Sequence, residues 1–164
     1  MIKFYISYFY QIRNMTPNML PVSTAMYDPK WFHEGKGTGY RYFDKNHIIN
    51  GVRLGELCME QYRVDNLVKK GLMCDQLCSR NAQMCPFMQE YAKCIREKNP
   101  DFQKFISFCD GYLQFLNQRM NLHLDTIVFI VHEPPSRKCG ERPIIQQWFA
   151  ENGIELLEWS ENLC

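Results

Sequence analysis

The stretch TIVFIVHEPPSRKCGERPIIQQWFAENGIELLEW, residues 126 to 159, decides the fold. Its first seven residues are an unbroken apolar and largely β-branched run, the pattern of a strand buried on both faces. The loop EPPSRKCGER follows. PIIQQWFAEN then reads as a helix closed by Gly153, and IELLEW, 154 to 159, as a final strand. A strand–loop–helix–strand unit implies neighbouring parallel strands and a right-handed crossover.

Working outward, residues 2 to 9 (IKFYISYF) read as another buried strand, and Leu20 to Thr24 as a third after the turn-rich NMTPN. From Tyr27 to Gly55 the pattern is irregular, with Pro29 and four glycines between 35 and 51. A connection of that length inside one domain is usually functional or a lid. Residues 56 to 70 hold a short helix, on the spacing of Leu57, Met59 and Tyr62. Pro86 suits a first helical turn, and Phe87, Met88, Tyr91 and Ile95 form its apolar stripe. Asn99-Pro100-Asp101 starts a long helix, carried by Phe102, Phe105, Ile106, Cys109, Tyr112, Leu116 and Met120. The fold class is therefore α/β, with a small, mainly parallel twisted sheet flanked by helices. The 164 residues fit a single domain, 1 to 164, with a cysteine-rich insertion at 56 to 86.

Hydrophobic residues make up 46% of the chain, enough for a core that needs no staples. The 19 Lys and Arg nearly balance the 18 Asp and Glu, which argues against a large nucleic-acid footprint but not against a small anion site. MIKFYISYFYQIR is read as a strand and not a signal peptide, lacking a small-residue cleavage site. No run has the length of a membrane span. A cytoplasmic setting is expected, where thiols stay reduced and disulfides are the least favoured use of the eight cysteines. Oligomeric state is left open.

Ligands of open α/β sheets sit beyond the carboxyl ends of the strands. VHEPPSRKCGER occupies such a place and ends at a helix N-terminus, which attracts anions. His132, Glu133, Cys139, Glu141 and Arg142 gather there. His132 or Glu133 fits a general acid or base, and Arg142 a fork for phosphate or carboxylate. Cys139, near Arg137, Lys138 and the helix start, fits a nucleophile or redox thiol. The blander alternative has Glu141 complementing the helix dipole, Arg142 paired with a carboxylate, and His132 hydrogen-bonded at a strand end.

CDQLCSRNAQMCPF, 74 to 87, supplies Cys74, Cys78 and Cys85 as candidate ligands of zinc or an iron–sulfur cluster. Cys94 lies two and a half helical turns past Cys85, on the opposite face, and reads as core. The fourth ligand is then Cys58, Cys139 or none. A filled set of four is structural, whereas an open position marks a catalytic metal. Three ordinary cysteines remain the alternative.

SYF near the start, LPVSTAMYDPKW, DKN, NGVRL, CDQLC, CPFMQEY, IVHEPP, CGER and QQWF together resemble the domain of unknown function 488 family, over about residues 3 to 159. They resemble in particular its subgroup with an inserted cysteine-rich segment. The resemblance implies a compact α/β domain and puts Ser7, Tyr8, Lys30, Trp31, His132, Glu133, Cys139, Glu141 and Arg142 at motif positions, with Ser7, Tyr8, Lys30, Trp31 and Arg142 as ligand-binding candidates. It implies no reaction, since none is established for the family. The chain departs from the pattern twice. CGER stands, offset by one residue, where the commoner version has Cys-His-Arg, and no cysteine falls between Cys78 and Cys85. The function expected is binding of, or action on, a small anionic or nucleotide-like ligand at the loop after residues 126 to 132, in a protein holding zinc or an iron–sulfur cluster. A non-enzymatic interaction module, with a structural metal or none, is the alternative.

Overall fold

The computed structural model describes residues 1–33, 50–73 and 80–161. Five strands, β1 (Lys3–Tyr8), β2 (Met19–Ser23), β3 (Val52–Arg53), β4 (Thr126–Val131) and β5 (Leu157–Glu158), form one sheet in the order β3-β2-β4-β1-β5. Every pairing is parallel. Among the described residues four α-helices complete the fold: α1 (Gln61–Lys69), α2 (Pro86–Lys98), α3 (Phe102–Met120) and α4 (Glu141–Glu151).

The apolar run 126–131 is the central strand, and all six of its residues are buried. Its side chains alternate between two cores. Ile127, Phe129 and Val131 enter the larger core beneath the helices, with Phe102, Phe105, Trp148 and Phe149. The rings there meet edge to face, Phe102 and Trp148 at 5.0 Å and Phe129 and Phe149 at 5.5 Å, the geometry that aromatic quadrupoles favour. Val128 and Ile130 enter the smaller core on the other face, with Phe9, Ile12, Phe32 and Trp159.

Helix starts follow the sequence. Pro86 opens α2 at its first turn, and the Asp101 carboxylate caps α3 by accepting from the Lys104 N–H at 3.2 Å. Gly153 ends α4 with φ +83°, and the Ile154 N–H reaches back to the Phe149 carbonyl.

Four expectations are corrected. The helix in 56–70 begins only at Gln61, after a tight turn over Gly55–Leu57, and buries Arg63, Val64 and Leu67 while Tyr62 is exposed. The apolar stripe of α3 includes Leu113. Helix α4 starts two residues early, at Glu141. The final strand shrinks to Leu157–Glu158, and the two-residue strand β3 appears in the long connection. Most of that connection, 34–49, lies outside the described residues.

The strand order fixes where a ligand can sit. After β2 the chain moves outward to β3, and after β4 it moves the opposite way, across β1 to β5. Connections leaving neighbouring strands in opposite directions open a crevice between their carboxyl ends. That crevice lies between the residues after Ser23 and those after Val131.

Candidate functional site

On the β4 side the crevice is built by His132, Glu133, Gly140 and the first turn of α4. Residue 140 must be small because the Glu133 carboxyl lies against it: a Cβ there would stand 3.0 Å from Glu133 Cδ and Oε2. Gly140 gives α4 no capping side chain, so its first-turn N–H groups lack a side-chain acceptor. Glu141 Oε2 and Glu133 Oε2 are both buried, with no hydrogen-bond partner among the described residues. Burial, and after it the charge of Glu133, push the Glu141 carboxyl up to about 8, while the Arg53 charge and the adjacent Thr24 side chain pull the other way. At neutral pH Glu141 therefore keeps its proton beside an acidic neighbour, the arrangement by which two carboxyls divide donor and acceptor roles.

Arg142 is 6% exposed. Its Nε donates to Glu158 Oε2 at 2.6 Å, and its Nη2 donates to the Glu133 carbonyl at 2.7 Å and Glu158 Oε1 at 3.3 Å. The fork expected to take a ligand anion is thus spent on tying α4 to β5. Only Nη1, buried and without a partner among the described residues, is left over. His132 is exposed and its Nε2 donates to the Tyr27 carbonyl at 2.6 Å.

The other candidates are placed as follows. The Ser7 hydroxyl is fully buried and donates to the Trp159 carbonyl at 2.9 Å, so Ser7 ties the segment after β5 to β1. The Tyr8 ring lies 6.0 Å from the Arg142 guanidinium carbon. Lys30 is exposed, and Trp31 packs edge-on against Phe9, which also contacts the His132 ring at 4.9 Å. Cys139, the candidate nucleophile or redox thiol, is 1% exposed and belongs to the larger core.

Cys74 and Cys78 lie outside the described residues. Cys85 is buried and precedes α2. Cys58 is buried, which pushes its thiol up to about 11, and its Sγ donates to the Leu54 carbonyl at 3.2 Å and to that of Ala25 at 3.5 Å. Among the described residues no three His, Cys, Asp or Glu side chains are grouped to hold a metal. Cys94 is fully buried.

On the β2 side stands a cluster that sequence reasoning did not single out. The Asp28 side chain is 3% exposed and accepts from the Ser23 hydroxyl. His33 Nε2 lies 2.7 Å from its Oδ2, and Arg53 Nη1 3.7 Å away. Arg53 Nη2 donates to the Met26 carbonyl at 2.7 Å. The segments LPVSTAMYDPKW and NGVRL hold Ser23, Asp28 and Arg53, with His33 just after the first, but the meeting of Asp28 and Arg53 across 25 positions leaves no local pattern.

No family model matches the chain, and neither a curated protein nor a solved structure does.

Proposed function

We propose that the crevice between β2 and β4 binds, or acts on, a small anionic or nucleotide-like compound, with Glu141 as proton donor and Glu133 as its acidic partner. One observation carries the reading. Glu133 Oε2, Glu141 Oε2 and Arg142 Nη1 are buried without partners on one short loop and helix start, and buried polar atoms in native proteins are otherwise satisfied. Such groups cluster where a ligand completes the hydrogen bonding. Ligand-induced thermal shifts with phosphate monoesters, nucleotides and carboxylates test it. Stabilisation that is lost in Glu133→Gln or Glu141→Gln supports the site. Ligand stabilisation that survives both changes removes it.

A non-enzymatic interaction module is the second reading. Its support is that Arg142 and His132 both spend donors on structural bonds.

Membership of the domain of unknown function 488 family and a cytoplasmic setting belong to the same proposal, on the motif pieces and the cysteine usage above. Among the described residues no helix is long and apolar enough to cross a membrane. Zinc or an iron–sulfur cluster on Cys74, Cys78 and Cys85 is proposed from their spacing, with Cys58, buried and turned to two backbone carbonyls, the less favoured fourth ligand. Metal analysis of anaerobically purified protein decides it.

A further inference from the structure

The anion of the proposed ligand needs a cation, and Arg142 has only one nitrogen to spare. The β2 side offers a better one. Arg53 is anchored by one hydrogen bond, to the Met26 carbonyl, and its side chain is 36% exposed. Its Nη1 stands too far from Asp28, at 3.7 Å, to hydrogen-bond, so among the described residues Nε and Nη1 keep donors for another acceptor. His33, 59% exposed, binds the same Asp28 oxygen through Nε2, which leaves Nδ1 pointing elsewhere as a donor when the ring is protonated. The buried Asp28 carboxylate, itself fixed by Ser23, thus holds the Arg53 guanidinium and the His33 imidazole side by side at the carboxyl ends of β2 and β3. Across the crevice, the Arg53 charge is felt by Glu141.

We propose that Arg53 and His33, pinned together on buried Asp28, form the anion-binding end of the crevice and take the phosphate or carboxylate group of its ligand. The assignment rests on the reading above that the crevice takes a small anionic compound, and it moves the anion from Arg142 to Arg53. Glu133 and Glu141 are then left facing the uncharged part of the ligand.

The test is isothermal titration calorimetry of the full chain with inorganic phosphate and with phenyl phosphate. Losing a charge-assisted fork is expected to weaken both about tenfold or more in Arg53→Gln. His33→Ala weakens them by a smaller factor, and Lys104→Gln, on exposed α3 surface, changes nothing. Circular dichroism confirms that each variant is folded. If Arg53→Gln does not fold, Arg53→Lys and His33→Ala carry the test, and wild-type affinity in both overturns the assignment. Wild-type affinity in folded Arg53→Gln, with loss in Glu133→Gln or Glu141→Gln, overturns this assignment alone. A wild-type protein that binds neither anion overturns it together with the anionic part of the proposed function.

Discussion

The Glu133 carboxyl lies against the bare backbone of Gly140, so close that a Cβ on residue 140 would stand 3.0 Å from it. The backbone there is extended, with φ 166°, and any residue could adopt it. Contact with Glu133, not conformation, therefore keeps position 140 small. Gly140→Ala is expected to cost about 1 kcal/mol and to displace the Glu133 side chain. Adding Glu133→Ala should remove most of that cost, which urea unfolding of the two single variants and the double variant measures.

Glu141 makes stability fall as pH rises. Its carboxyl, about 8 in the folded protein against an ordinary value of 4.5, binds a proton in the native state that the unfolded chain has already released. Between those values the group costs roughly 1.4 kcal/mol per pH unit, and the loss levels off above about 8. Glu141→Gln, which cannot ionise, is expected to flatten the unfolding free energy over this window. An unchanged pH slope in the variant would contradict the burial argument.

Gly51 is buried, and a Cβ on it would meet the Pro21 carbonyl at 2.3 Å and the Phe32 ring at 2.9 Å. Backbone cannot give way as a side chain does. Gly51→Ala should therefore cost on the order of 3 kcal/mol. It precedes β3 directly, so the same change should displace Arg53. Thermal unfolding and phosphate titration read the two effects.

Arg63 ties α1 to α2 by donating to Glu60 at 3.1 Å, Glu90 at 2.9 Å and Glu97 at 2.5 Å. Replacing it by Met leaves three partly exposed carboxylates without their shared cation. A loss of about 2 kcal/mol is expected in urea unfolding, less than for a fully buried ion pair because the carboxylates reach solvent. The Glu97 carboxyl, which Arg63 holds below its ordinary range, should titrate higher in the variant by NMR.

Cys58→Ser should leave any bound zinc or iron unchanged, because the Cys58 thiol faces the Leu54 and Ala25 carbonyls as a buried neutral group. Simultaneous replacement of Cys74, Cys78 and Cys85 by Ser should abolish binding. Metal content by mass spectrometry distinguishes the two outcomes.

What the sequence reveals here is local. The run 126–131 is legible because a strand covered on both faces has no polar alternation. Asp101 and Pro86 are legible because caps act within one turn. Strand β3 is not, since two residues carry no period. The loop after β4 is legible from the rule about strand ends, but the hydrogen-bond partners of its residues are not, because they lie far away in sequence. Arg142 is consumed by Glu158, 16 positions on, and Ser7 by Trp159, 152 positions on. Asp28 and Arg53 escaped notice for the same reason.

Strand β4 lies between β1 and β2, so the two N-terminal strands touch the same neighbour and never each other. Among the described residues, no strand within the first 125 pairs with β1: its other partner, β5, comes later still. A ribosome must therefore release the central strand before any sheet linking β1 to β2 closes. Until then the edges that β1 and β2 present to β4 have no native partner, and such exposure invites aggregation. The crevice and its charged residues are in this sense the last part of the molecule to exist, assembled only when the chain returns to its own beginning.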